Sequence, residues 1–513
     1  MTAAATPAPP PATAGGGATA ARSPRSGGRR NSELGLLLFA MVLVGGYAAA
    51  SEAALVGRVS LGFLGPLITL TAIFFAAHLL IRWLAPHADP VLLPAVAVVN
   101  GFGVMFLHRL DVADLKEHGT VKIPLFSGQG GRQLMWTLLA VICAVAVLAV
   151  VRDHRSLSRY AYTLGLAGIA LMMIPAILPA RFSSINGAKL WIRFGSFFAI
   201  QPGEFAKILL LVYFSYYLVR KREVLSLASK RILGIDFPRG RDLGPVLAVW
   251  LLSLMVLIFE KDLGTSLMYF GMFVVTLYVA TERVSWLIIG LLLFLGGAFL
   301  AYFLGGTVGG PFANFYERAD IWLHPFADPT NKGYQLVQSL LGLGTGGLFG
   351  SGPGAGRPDK VPLVQSDFIF AGMGEEIGLF GLTALLAVYL FIAMRGLRAA
   401  IGVRDSFGKL FAGGLSFTLG LQVFVIVGGV SKLIPLTGQT TPFMSAGGSS
   451  LVANWVLIAL LVRISDAARR PADGSGAGRS GGPAAGGGPV KLQDLPTEML
   501  RAGSASGHVG DKS

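Results

Sequence analysis

Apolar stretches of about 17 to 25 residues recur along this chain, the length a helix needs to cross ~30 Å of hydrocarbon. They lie near 35–51, 61–81, 91–107, 133–151, 160–178, 203–219, 243–259, 263–280, 285–305, 368–394, 410–430 and 449–464, which predicts about twelve spans. The stretches lack the two-residue alternation of barrel strands, and lipid cannot satisfy open backbone groups. The expected fold class is therefore all-α, a polytopic transmembrane helical bundle.

The ends break this pattern. Residues 1–30 are Ala, Pro, Thr, Gly, Ser and Arg, and a similar stretch runs from about Pro471 to Pro489. Such composition cannot bury a core. Disordered tails are expected at 1–30 and 465–513, flanking N-terminal spans in 31–132 and a core in 133–464. The first apolar segment lies too far in, and is too long, to be the core of a signal peptide. Of all residues, 53% are hydrophobic and 13% charged. A soluble domain has about 25% charged residues, so a soluble enzyme is excluded. The single cysteine, Cys143, sits in an apolar run, which leaves no disulfide framework and no Cys-based metal site.

The net charge of +15 would suggest nucleic acid in a soluble protein, but in a membrane protein basic residues gather in cytoplasmic loops. With the N-terminus inside, 27 of the 42 Lys and Arg fall in inside segments and 14 in outside loops, with Lys207 alone within a span. Both termini are thus expected in the cytoplasm, and no nucleic-acid partner is needed. This topology puts one long loop, 306–366, outside. Its apolar residues, among them Phe315, Trp322, Leu336 and Leu340, predict short amphipathic helices lying on the membrane. The Gly-rich run Gly342–Gly356 lacks the Lys-Ser/Thr of a P-loop and is expected to be a flexible connector.

Ionisable groups within spans are costly and mark candidate function. Four clusters fall on the outer half. In QPGEFAK, Gln201–Lys207, Pro202 suits a first helical turn, and Glu204 and Lys207 share one face at i, i+3. They form either a lock between helices or a substrate contact. Upstream, NGAKLWIRFG supplies Lys189, Trp191 and Arg193, where Trp191 is an interfacial anchor or, with its two cations, part of a phosphate site. In FEKDLGTS, Asp262 is expected to cap the following helix. In QSDFIFAGMGEEIG, Asp367 stands where the long loop enters a span, as a cap or as a cavity group. Glu375, eight residues on, lies about 12 Å deeper by helix rise; with Glu376 it suggests a polar interior cavity. Finally, the prolines and glycines of LIPLTGQTTPFMSAGGSS, Leu433–Ser450, predict a re-entrant segment walling that cavity.

QPGEFAK, NGAKLWI, KDLGTS, GYQLVQS (Gly333–Ser339), SDFIFAGMGEEIG and PLTGQTTPFMSAGGSS stand in the order and spacing of the FtsW/RodA/SpoVE proteins, the shape, elongation, division and sporulation family. The resemblance covers about Leu134–Ile464. It implies a peptidoglycan glycosyltransferase that polymerises lipid II at the outer membrane face, with a class B penicillin-binding protein as partner. By this resemblance Asp367 is the aspartate required for activity, and Glu204 and Lys207 are functional. Lys189, Trp191, Arg193, Gln335 and Ser445 are expected to contact substrate, with Asp262, Glu375 and Glu376 in support. The chain departs from the pattern in its two added N-terminal spans, in Leu190-Trp191 where Arg-Trp is usual, and in Ser445-Ala446-Gly447-Gly448 where Ser-Tyr-Gly-Gly is usual. The added spans and tails resemble an actinobacterial, elongation-type member more than a division-type one.

The implied reaction joins the 4-hydroxyl of one disaccharide to the anomeric carbon of another, expelling a lipid pyrophosphate. It needs a proton acceptor and cations for the leaving group. Asp367 is the expected base. Lys207 with Lys189 or Arg193 is the expected phosphate clamp, a divalent metal being left open. Two other classes remain: a flippase of lipid-linked sugars, which needs cavities open to both faces, and a non-catalytic scaffold.

Overall fold

The computed structural model describes residues 26–58, 61–117, 125–185, 188–194, 198–225, 228–232, 235–238, 244–260 and 262–470. Residues 1–25 and 471–513, which make up most of both expected tails, lie outside the described residues.

Every predicted apolar stretch is helical. The helices in chain order are α1 (Ser26–Val56), α2 (Leu64–Leu84), α3 (Leu92–Glu117), α4 (Gly128–Val150), the single turn α5 (Ser156–Arg159), α6 (Ala161–Ile177), the turn α7 (Ala180–Ser183), α8 (Pro202–Leu225), α9 (Gly244–Phe259), α10 (Leu263–Thr281), α11 (Val284–Thr307), α12 (Ala313–Leu323), α13 (Tyr334–Gly346), α14 (Ile369–Gly402), α15 (Ser406–Val430) and α16 (Gly448–Arg469). Among the described residues, nine of these are long and apolar enough to cross a membrane. The stretches at 160–178 and 243–259 form shorter apolar helices, and α8 carries Glu204, Lys207 and a charged last turn. The departures from all-α are antiparallel hairpins in connections: β1 (Ser184–Ile185) with β2 (Ala188–Lys189), β3 (Ile192–Phe194) with β4 (Phe198–Ile200), and β5 (Ala228–Ile232) with β6 (Ile235–Pro238).

Burial varies from helix to helix as a bundle in lipid requires. Of the most apolar window of α11 only 17% is buried, and Leu292, Leu295, Phe299 and Phe303 face outward; the corresponding window of α16 is 83% buried. Among the described residues an extended core joins α1–α4, α6, α8–α11 and α14–α16, and a small second cluster packs Leu263, Ala301, Phe315 and Ala319.

Both tail boundaries move outward, toward the termini. Residues 26–30, expected in the first tail, open α1, because Arg30 is buried, pairs with Glu33 and donates to the carbonyls of Ala85 and Pro86. Residues 465–469, expected in the second, continue α16: Asp466 is fully buried and accepts from the backbone N–H of His87 at 2.8 Å. Beside it Asp89 holds Arg395 through two 2.7 Å hydrogen bonds and also takes Arg469, so one end of the bundle is stapled by ion pairs. His154 and Asp405, 2.9 Å apart, add a further tie.

The long loop contains the expected short helices, yet α13 packs against α14 and α15, with Leu336 and Val337 buried and the Ser339 hydroxyl donating to the Val430 carbonyl at 3.2 Å. The Gly-rich run is not the flexible connector expected. Its N–H groups at Ser351 and Gly352 donate to the carbonyls of Glu375 and Glu376 at 2.9 and 3.0 Å. α14 breaks at Gly378, whose φ of 65° favours glycine. The N–H groups of Leu379 and Phe380 are taken up by the carbonyls of Gly347 and Leu348. Glycines here permit backbone contact with a broken helix, which satisfies groups that lipid would leave bare.

Candidate active site

The end of the bundle opposite the ionic staple gathers the motifs. α8 starts at Pro202, and one turn in, Lys207 donates to Glu204 at 2.7 Å and to the Gln422 Oε1 of α15 at 2.8 Å. Glu204 and Lys207 are both buried, 6% and 5% exposed. Gln422 in turn donates to the Thr440 carbonyl at 3.3 Å, so the pair locks α8, α15 and the 433–447 segment together. With two of its three donors committed, Lys207 forms the lock between helices that was one of the two expectations for it.

The 433–447 segment dips into the bundle as an irregular chain with Thr437, Gln439 and Thr441 buried. Neighbouring helices hold it: Asn100 donates to the Phe443 carbonyl at 2.8 Å, and Gln439 of the segment donates to the Thr265 hydroxyl at 3.1 Å. Ser445 accepts from the Thr441 N–H at 2.9 Å and donates to the Ser366 carbonyl, while its own carbonyl accepts from Gln133. Ser445 thus ties this segment to the turn that carries Asp367.

Asp367 lies just before α14. The N-cap of that helix is Phe368, with no side-chain cap bond, so Asp367 is not spent as a cap. Its side chain keeps a partly accessible surface. A Cβ built on Gly438, whose φ is +72°, would sit 3.6 Å from Asp367 Oδ2 and 3.3 Å from both terminal nitrogens of Arg318, so carboxylate and guanidinium flank one bare stretch of backbone. Arg318 comes from α12 and is oriented by a 2.8 Å bond to the Leu436 carbonyl. Burial pushes the Asp367 carboxyl up to about 6, with the Ser366 hydroxyl and Arg318 pulling down and the charge of Asp262 adding to the rise.

Asp262 caps α10 as expected, accepting from the Thr265 N–H at 3.1 Å and from its hydroxyl. Burial raises its carboxyl against those bonds. Beside it Glu260 is buried, and burial with the Asp262 charge pushes it up to about 9. Asp367 and Asp262, two carboxyls of raised pKa that share the field of Arg318, are what a proton-handling site presents, and Glu260 adjoins Asp262.

The other expected residues are elsewhere. Lys189 ends β2 and Arg193 is exposed on β3, with half-buried Trp191 between; among the described residues none of them is hydrogen-bonded to Asp367 or Lys207. The first two residues of NGAKLWI, and Lys261, lie outside the described residues. Gln335 is half-buried in the first turn of α13. Glu375 and Glu376 are engaged by partners other than Asp367. Glu375 Oε1 accepts from the Arg357 N–H at 2.8 Å, and fully buried Glu376 holds Arg109 of α3 at 2.6 Å and the Tyr47 hydroxyl of α1 at 2.7 Å. Their depth follows from packing the Gly-rich segment and the first helices onto α14. Among the described residues no group of three or more His, Cys, Asp or Glu is placed to hold a metal ion. The residue that sequence reasoning missed is Arg318; the sole signal was a basic residue on an amphipathic helix of the outer loop.

Residues 90–470 match the family model for FtsW/RodA/SpoVE, described as a cell cycle protein. The chain belongs to the FtsW/RodA/SpoVE family. It is 50% identical over 443 residues to the peptidoglycan glycosyltransferase RodA of Mycobacterium tuberculosis (strain ATCC 25618 / H37Rv), covering 86% of this chain and 92% of that protein. To the protein of the same name from Mycobacterium leprae (strain TN) it is 48% identical over the same shares. Among solved structures, a chain from a peptidoglycan synthase complex, reported for its coordination of polymerization and crosslinking, matches with a TM-score of 0.55 at 23% identity, over 74% of this chain and 97% of that one. This likeness is one of fold, the polytopic helical bundle of FtsW/RodA/SpoVE proteins.

Proposed function

We propose that the protein is a RodA-type peptidoglycan glycosyltransferase that polymerises lipid II into glycan strands at the outer face of a bacterial cytoplasmic membrane during elongation. The observation that carries the site assignment is Asp367: partly accessible, unspent as a helix cap, raised to about 6, and facing Arg318 across Gly438. Family membership and 50% identity to the mycobacterial glycosyltransferase support the activity.

The acceptor 4-hydroxyl attacks the anomeric carbon of the donor. A carbon–oxygen bond forms there as the bond to the pyrophosphate oxygen breaks, with inversion, and the hydroxyl proton passes to Asp367. A base with a pKa near the working pH suits that transfer. The electron pair leaves on the pyrophosphate, whose growing charge Arg318 is placed to meet with a planar fork of donors. The leaving group is already activated, so no second acid carboxyl of the glycosidase kind is required. Asp262 and Glu260 hold the local field, and the Glu204–Lys207–Gln422 lock keeps the 433–447 wall in place behind Gly438. A class B penicillin-binding protein crosslinking the product is the partner this reading implies, and the solved relative from a synthase complex supports it.

The flippase reading needs access from both faces. The end away from Asp367 is tied shut by Asp89, Arg395, Arg469 and Asp466, which favours the polymerase. The test is purified protein with its penicillin-binding partner and labelled lipid II. Glycan polymer supports the reading; translocation of lipid II without polymer overturns it.

A further inference from the structure

Next to the turn that carries Asp367 lies a hollow of about 970 Å³, walled by the end of α1 at Ala54 and Leu55, by the facing ends of α3 and α4, and by the segment 354–365. Gln365 reaches it, two residues before Asp367, but Asp367, Arg318 and Gly438 do not line it. Its size is at the upper end of what small-ligand sites span. Its lining carries both signs of charge. Asp111 takes the N–H groups of Gln129 and Gly130 at 2.8 Å each, and Arg357 pairs with Asp359 at 3.0 Å. Exposed Arg132 gives only its Nε, to the Gly128 carbonyl at 3.1 Å; among the described residues its two terminal amino groups have no hydrogen-bond partner.

A polyprenyl chain would meet three aspartates and three arginines among the apolar residues of this lining, and a pyrophosphate would meet the aspartates along with the arginines. A short peptide bearing both carboxylates and an amine matches a lining of mixed sign. We propose that the hollow binds the stem peptide of the lipid-linked substrate, with Arg132 engaging one of its carboxylates. This rests on the polymerase reading and adds to it a site for a part of the substrate remote from the reacting bond. Binding energy of that kind holds the sugar in place for reaction. The α1 wall precedes residues 90–470, the stretch that matches the family, so the added N-terminal helices complete the site. They are fixed there by the Tyr47–Glu376 bond and by the close approach of Gly354 to the Ser51 backbone.

The experiment compares lipid II bearing the full stem peptide with the same lipid-linked disaccharide lacking it, using full-length wild type, Arg132→Ala and the cavity-filling Ala54→Trp. Exposed Ala54 and Arg132 can be replaced without disturbing the core. Wild type should show a KM lower by about tenfold for the peptide-bearing substrate, the worth of a charge-assisted contact. Both variants should lose most of that difference, with KM for the peptide-free substrate unchanged. Equal KM for the two substrates in wild type, or a variant that slows both alike, overturns the proposal. In parallel, the soluble stem peptide is titrated into purified wild type and Arg132→Ala, which reads the hollow without turnover. Binding weakened in the variant supports the proposal; no binding to wild type overturns it. A wild type that binds the peptide but makes no polymer would instead sink the polymerase reading alone.

Discussion

Asp367 and Glu376 are nine positions apart on one segment, both surrounded by protein, and their surroundings differ. Glu376 is fully buried, ion-paired with Arg109 at one oxygen and hydrogen-bonded by the Tyr47 hydroxyl at the other. Asp367 stays partly accessible, has the Ser366 hydroxyl beside it, lies with Arg318 against the bare backbone of Gly438 and is pushed up to about 6. A carboxylate whose partners are complete fixes helices and has no capacity left for a substrate. One whose partners are incomplete has a raised proton affinity and takes up a proton near neutral pH, which is the property a base needs. Inside a membrane domain, depth alone is therefore a poor guide to chemistry.

The comparison breaks first at Asp367→Asn. The amide keeps the shape but cannot accept the proton, so polymer from lipid II should fall by about 10³-fold, within the range for loss of a general base. The protein should remain folded and should in fact gain stability. Because the folded pKa is raised, the unfolded chain ionises more readily between pH ~4 and ~6, and above pH 6 the ionised form costs about 3 kcal/mol. Thermal unfolding in detergent at pH 7.5 and at pH 4 reads this: the gain should be present at the first and absent at the second. Retained activity would remove the base assignment.

Glu376→Gln should behave in the opposite way. It leaves Arg109 buried and uncompensated, at a cost of about 3–5 kcal/mol, so yield and melting temperature fall while each folded molecule still turns over. Replacing both partners, Arg109→Met with Glu376→Met, should recover most of the stability. A fully stable but inactive Glu376→Gln would mean the two carboxylates have been assigned in reverse.

Arg318→Ala comes next, with turnover expected to drop by about 100-fold, as for loss of one group that stabilises transition-state charge. Since Arg318 also pulls the Asp367 carboxyl down, the acidic limb of the pH–rate profile should move to higher pH. A loss of rate with an unmoved limb would separate Arg318 from Asp367. The smallest effect belongs to Asp262→Asn. Asn caps as well as Asp, and removing the charge that raises Asp367 should shift the same limb to lower pH by a fraction of a unit, with little loss of rate.

The twelve apolar stretches, their helical state and the family were legible in the sequence, because hydrocarbon thickness fixes the length of a span and because six motifs stand in fixed order. The cap at Asp262, the turn start at Pro202 and the pairing of Glu204 with Lys207 were legible too, being interactions within a few residues. What needed the tertiary structure were the long-range partners. Gln422 closes on Lys207 from 215 positions away and joins α15 to the Glu204–Lys207 pair. Arg109 and Tyr47 convert Glu376 into an anchor, the Arg357 N–H holds Glu375, and the Gly-rich run becomes a brace because a helix broken at Gly378 offers it backbone to bind. Arg318 reaches Asp367 only because α12 folds back over Gly438. Local sequence specifies which groups are present and how each helix begins; whether a buried charge is answered depends on chain segments that meet only after the bundle has packed, and that decides whether it supports structure or performs chemistry.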